Sequence, residues 1–98
     1  PSYPDEESSF EELLERLEKT VLYLESFTEE DFVGCDERRI DLPFVPGFYA
    51  FGADYFAQFS IPNFYFHYAT AYDILRHKGA KIGKLDFIGT MSLHPHEE

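Results

Sequence analysis

The chain has 98 residues, 44% of them hydrophobic, with one cysteine and a formal net charge of −11. That is one domain at most, and a chain of this size buries about 60–65% of its unfolded surface, enough for a thin core. There is no run of about 18 apolar residues to span a membrane, and Pro1-Ser2-Tyr3-Pro4-Asp5 lacks the basic-then-apolar order of a secretory leader.

The first residue is not Met, so the Met has been removed or the sequence is a piece of something longer. Cys35, alone, excludes an intramolecular disulfide and disfavours a cysteine metal site; a reducing, cytoplasmic setting is the expectation. Its acidic neighbours Asp36 and Glu37 favour an inert thiol. Residues 1–37 hold thirteen acids and two bases, whereas residues 38–98 hold six of each. An acidic chain without a basic stripe fits neither nucleic acid nor an anionic membrane; its acidic segment reads as a solvated helix face or as a surface for a basic partner.

Taken in chain order, residues 1–8 are rich in proline, serine and acids and read as a lead-in coil or strand. Ser9-Phe10-Glu11-Glu12 is a capping box. Apolar residues at Phe10, Leu13, Leu14, Leu17, Val21 and Leu24 follow the i, i+3, i+4, i+7 pattern of an amphipathic helix, predicted over 9–26. Glu15 and Lys19 are spaced for an ion pair on it. Thr28-Glu29-Glu30-Asp31 starts a second, short turn that Gly34 ends. Arg39, Asp41 and Pro43 alternate with Ile40, Leu42 and Phe44, and Pro46-Gly47 is a turn pair. A β-hairpin is therefore predicted over 38–51, with Pro43 at an edge position. Gly52-Ala53-Asp54 opens a second long helix, predicted over 53–78, with Pro62 as an internal kink and Gly79 as its left-handed cap. Residues 80–98 read as a tail, of which Ala80 to Gly89 is semi-apolar. The whole chain, 1–98, reads as a single domain.

Twelve of the eighteen aromatic residues lie between Phe44 and Tyr72. On the second helix Phe56, Phe59, Phe64, Phe66 and Tyr72 do not form one stripe but run nearly all round, the pattern of a helix buried on every side. One amphipathic helix and a hairpin cannot cover it. These five are read as core or interface aromatics, and the chain as needing further helices from a partner.

The run Pro62-Asn63-Phe64-Tyr65-Phe66-His67, then Thr70-Ala71-Tyr72-Asp73-Ile74-Leu75-Arg76-His77, Gly79, and Gly83-Lys84 before Asp86-Phe87, resembles an uncharacterised family, of unknown function, in the DinB-like superfamily. Gly52-Ala53-Asp54-Tyr55 and the first helix fit too, so the resemblance extends from about Ser2 to Gly89. It implies a four-helix, up-down-down-up bundle, of which this chain matches the C-terminal half. A homodimer of two-fold symmetry, or a missing N-terminal helical half, would complete it. Many DinB-like proteins bind a divalent metal through three histidines, two as His-x-x-x-His on the last helix. The resemblance puts Asn63 and His67 at those two positions and the third ligand in the other half. An amide suits transition metals poorly, so a metal is disfavoured and no cofactor is expected.

Asn63 and His67, one helical turn apart, are the leading candidates for a ligand pocket or a residual metal site. His67 reads alternatively as a hydrogen-bonded core or interface histidine. Tyr68, Asp73, Arg76 and His77 are secondary candidates. Asp73, Arg76 and His77 fall at i, i+3 and i+4, which is half of a catalytic dyad without a nucleophile; a helix-end salt bridge beside the dipole explains them as well. Gly79 to Lys84 lacks the spacing of a phosphate loop. Lys84 is expected to pair with Asp86 or with an acid of the first helix, and His94-Pro95-His96 reads as terminal tail. The expectation is a mainly α chain, half of a DinB-like four-helix bundle with a small β-hairpin, acting as a non-enzymatic binding or interaction module with an apolar ligand pocket. The alternative is a DinB-like metal-dependent transferase or hydrolase whose site is degenerate or completed by another chain.

Overall fold

The structure is a computed structural model that describes residues 2–97. The chain divides into two compact units, Pro1–Cys35 and Asp36–Glu98.

The first unit is built on α1, Phe10–Glu25. The Ser9 hydroxyl accepts from the Glu12 amide at 3.2 Å. The Glu12 carboxylate reaches one residue further back than a capping box requires and accepts from the Ser8 amide at 2.7 Å. Arg16 ties the lead-in segment to the helix. Its guanidinium donates to Asp5 at 2.9 Å and to both oxygens of Glu7 at 2.9 and 3.0 Å, and lies 5.8 Å from the centre of the Tyr3 ring. The bond to Asp5, then that to Glu7, holds the Arg16 pKa above its ordinary value. Among the described residues Glu15 and Lys19 form no ion pair; Arg16 makes the salt bridges of this helix. Beyond α1, Asp31 accepts from the Thr28 amide at 2.7 Å and opens a 3₁₀ turn, Glu29–Phe32. Gly34, at φ +77°, ends it.

The second unit starts with two antiparallel strands, β1 (Arg39–Asp41) and β2 (Tyr49–Phe51), in the register Arg39↔Phe51, Ile40↔Ala50, Asp41↔Tyr49. Ile40 and Ala50 are half-buried while their strand neighbours are exposed, which is the period-2 alternation. The Arg39 guanidinium sits 4.6 Å over the Tyr49 ring. The strands are shorter than the sequence pattern predicts, and Pro43 lies in the connecting loop rather than at a strand edge. Val45 donates to the Leu42 carbonyl and Phe48 to that of Val45, so two successive turns occupy residues 42–48.

The second long helix is three segments in one run: α2 (Gly52–Tyr55), a π-helical turn (Phe56–Ser60) and α3 (Ile61–His77). The sequence predicts a kink inside one α-helix at Pro62. Here Pro62 lies in the first turn of α3, where a missing N–H costs little, and the widened turn before it relieves the crowding at Gln58. α3 ends in a Schellman motif. Gly79, at φ +99°, donates to the Arg76 carbonyl at 3.1 Å and Ala80 to that of Leu75 at 3.0 Å. The tail then forms a further helix, α4 (Lys84–Ile88), which the sequence reading leaves as tail. Asp86 opens it by accepting from the Gly83 amide at 2.7 Å. Lys84 forms no ion pair among the described residues.

The chain is thus mainly helical with a small two-stranded antiparallel sheet. Among the described residues no helix is long and apolar enough to cross a membrane. No side chain among the described residues is fully buried, and large apolar ones stand open to solvent: Phe66 is 66% exposed, Phe56 61% and Leu17 60%.

Candidate functional site

An open groove of about 500 Å³ runs along the second unit's long helix, lined by Tyr55, Phe59, Ser60, Asn63, Phe64, His67 and Tyr68. Tyr55, Phe59, Asn63 and His67 recur every four residues. In an unbroken α-helix the twelve residues from Tyr55 to His67 would leave them about 120° apart. The wider π turn takes back most of that drift, so the groove keeps one face across the helix start.

Rings form the walls. Phe64 stacks on Tyr68 with centroids 5.7 Å apart, and Phe59 lies 5.3 Å from Tyr55 and 5.1 Å from Phe44. Tyr68 is fixed at its far end, where its hydroxyl donates to the Phe87 carbonyl at 2.8 Å. The polar lining is Ser60, Asn63 and His67, with no carboxylate, lysine or arginine. Asn63 and His67 are exposed, and His67 meets the Phe66 ring edge-on at 5.2 Å. No hydrogen bond links Ser60, Asn63 and His67 to one another.

The structure brings Asn63, His67, Tyr68, Phe59 and Phe64 to this groove and leaves the other candidates elsewhere. Phe56 and Phe66 are exposed off it. Tyr72 is half-buried and packs edge-on to Phe87 at 5.3 Å. Asp73, Arg76 and His77 are exposed and form no ion pair among the described residues, so the salt bridge read from their spacing is not made. Tyr55 and Ser60 are groove residues that the candidate set lacks. The four-residue interval marks Tyr55; nothing in the sequence marks Ser60 beyond its place before Ile61-Pro62.

Among the described residues no three His, Cys, Asp or Glu side chains converge as a metal site. One imidazole and one amide do not fit the three-histidine set that the DinB resemblance implies.

The fold and its motifs define a DinB-like helical protein. The chain is similar to a DinB family member from Shewanella denitrificans, known from its crystal structure, with 38% sequence identity and a TM-score of 0.88. The match covers 98% of this chain and 54% of that one, so the chain spans about half the length of that relative. Residues 1–88 match the family described as a domain of unknown function, DUF1993, and the chain belongs to that family. No curated protein matches it.

Proposed function

We propose that this chain is a non-enzymatic binding and interaction module. It corresponds to the C-terminal half of a DinB-like bundle and is completed by a partner, either a second copy or a separate helical half. The observation that carries this reading is the exposed apolar surface: Phe56, Phe64 and Phe66 are all more than half exposed on one helical run. Leaving a large apolar side chain in water forgoes about 1.5–3 kcal/mol. Surfaces of this kind are interfaces more often than not.

The groove from Tyr55 to Tyr68 is the ligand site in this reading. Its aromatic walls suit a flat apolar molecule, and Ser60, Asn63 and His67 supply donors and acceptors to orient a polar edge. Of the groove residues His67 alone is a strong metal ligand, so the proposal involves no metal.

Native mass spectrometry of the untagged chain, sprayed from gentle buffer without chelator, tests this. A dimer or a hetero-complex without metal, with or without a co-purifying small molecule, is the expected result. A stoichiometric divalent metal that disappears in His67→Ala would overturn it in favour of a partner-completed metal enzyme.

A further inference from the structure

The apolar stripe of α1 has an acidic edge, and that edge selects what can cover it. Leu14, Leu17 and Val21 are 58%, 60% and 50% exposed, and with Glu18 and Leu22 they line a shallow groove of about 420 Å³. On a helical projection Glu11, Glu18 and Glu25 follow one side of this stripe at intervals of seven residues, about 10.5 Å apart. All three are exposed and none forms an ion pair among the described residues. The two bases of the helix project elsewhere: Arg16 is engaged by Asp5 and Glu7, and Lys19 lies on the far side from the stripe.

We propose that this face is the docking site for one amphipathic helix whose apolar stripe is edged by lysine or arginine at heptad spacing. It rests on the reading that the chain is completed by a partner, and it names that partner's chemistry. A straight stripe four turns long fits a helix better than a strand or a compact ligand, and this is the helix-in-groove mode of recognition. Edge charges at seven-residue intervals meet their counterparts on a facing helix in the way that flanking positions of a coiled coil do, and they set which partner is accepted. A second copy of this chain is a poor occupant. Two α1 helices face to face would set Glu11, Glu18 and Glu25 of each copy along the shared seam with no basic residue on the stripe to meet them, and α3 carries Arg76 as its one arginine or lysine.

The test uses the whole chain and two fluorescent synthetic 18-residue peptides. Both have leucines at helical spacing; one carries lysine along one edge at heptad spacing, the other glutamate. Fluorescence anisotropy is read at low and at moderate salt. The expected result is binding of the lysine peptide at least ten-fold tighter than the glutamate peptide, weakening with salt. Leu17→Glu should lose that binding while circular dichroism shows α1 intact, because the variant is more acidic yet lacks the stripe. Glu11→Lys, Glu18→Lys and Glu25→Lys together should reverse the preference. Binding that survives Leu17→Glu would be charge attraction alone and would overturn the inference. No peptide binding with a homodimer in native mass spectrometry would overturn it too, while leaving the partner-completed reading standing. No binding with a monomer would remove both.

Discussion

The Tyr68 hydroxyl donates to the Phe87 carbonyl at 2.8 Å while the two rings lie 4.4 Å apart, so a single α3 side chain holds the tail helix by both a polar and an apolar contact. Tyr72 adds an edge-on contact to the same ring. The residue that walls the groove is therefore the residue that seats α4. Tyr68→Phe keeps the ring contact and loses the hydrogen bond, and should lower stability by about 0.5–1 kcal/mol. Phe87→Ala removes the half-buried ring that both tyrosines touch and should lower it by about 2 kcal/mol. Urea unfolding of the two variants measures this; an order reversed, with Tyr68→Phe the costlier, would mean that the hydrogen bond and not ring packing seats α4.

The Tyr72 hydroxyl is shielded from solvent and has no hydrogen-bond partner. It stands beside a small cleft of about 220 Å³ shared with Tyr68, Ala71, Leu75, Ile82 and Asp86. A shielded donor without a partner is destabilising relative to the same shape without it. Tyr72→Phe should therefore raise the stability of the chain by about 1 kcal/mol, read as an upward shift in the urea midpoint at unchanged slope. A fall in stability would show that the hydroxyl is satisfied in solution.

α1 and the end of α3 are legible from sequence because their signals are local. Ser9 and Glu12 mark the helix start, apolar residues at 3.6-residue spacing mark its face, and Gly79 supplies the positive φ that the Schellman motif requires. The hairpin is legible as a period-2 run, but its length is not, since the turns at Val45 and Phe48 draw Leu42 and Pro43 out of the strand. The π turn is illegible to a pattern built on 3.6 residues: Pro62 announces a disturbance without saying whether the helix kinks or widens. α4 is illegible because five residues are too few to show a period, and what holds it is a contact nineteen residues away, Tyr68 to Phe87. Asn63 and His67 are marked by the DinB resemblance and by their i, i+4 spacing; Ser60 joins them only once the turn before them is known.

That turn offers its own test. Inserting one alanine after Ala57 adds about 100° of rotation between the helix start and α3, which should swing Tyr55 off the face that Asn63 and His67 share. Helix content by circular dichroism should persist, while the enhancement of an apolar fluorescent dye bound in the groove should fall several-fold. Undiminished dye binding would place the dye on the other exposed aromatics instead.

Arg16 holds the lead-in segment through Asp5, Glu7 and the Tyr3 ring. With its pKa raised, the guanidinium stays charged at neutral pH, and its side of this attraction is lost as pH rises through that elevated value, while protonation of the two carboxylates removes the other side in acid. Arg16→Ala should leave α1 folded and free residues 3–7. Hydrogen exchange of those amides should speed up while that of Leu17 to Leu22 stays slow; equal acceleration in both would show that the strap stabilises the helix itself.

Phe59 and Phe66 separate the packing of the chain from its assembly. Phe59 is half-buried between Phe44 and Tyr55, at 5.1 and 5.3 Å, so Phe59→Glu puts a charge among rings and should destabilise the isolated chain by about 3 kcal/mol. Phe66 is 66% exposed, and its ring meets that of His67 edge-on at 5.2 Å. In an isolated chain Phe66→Glu should change stability by less than about 0.5 kcal/mol, as exposed substitutions do. In a partner-completed bundle the same change buries an unpaired charge at the contact and should dissociate the complex. Native mass spectrometry at matched concentration distinguishes the two. A complex in the wild type that persists in Phe66→Glu would place the partner on another face, and the stripe of α1 would then be the surface left to carry it.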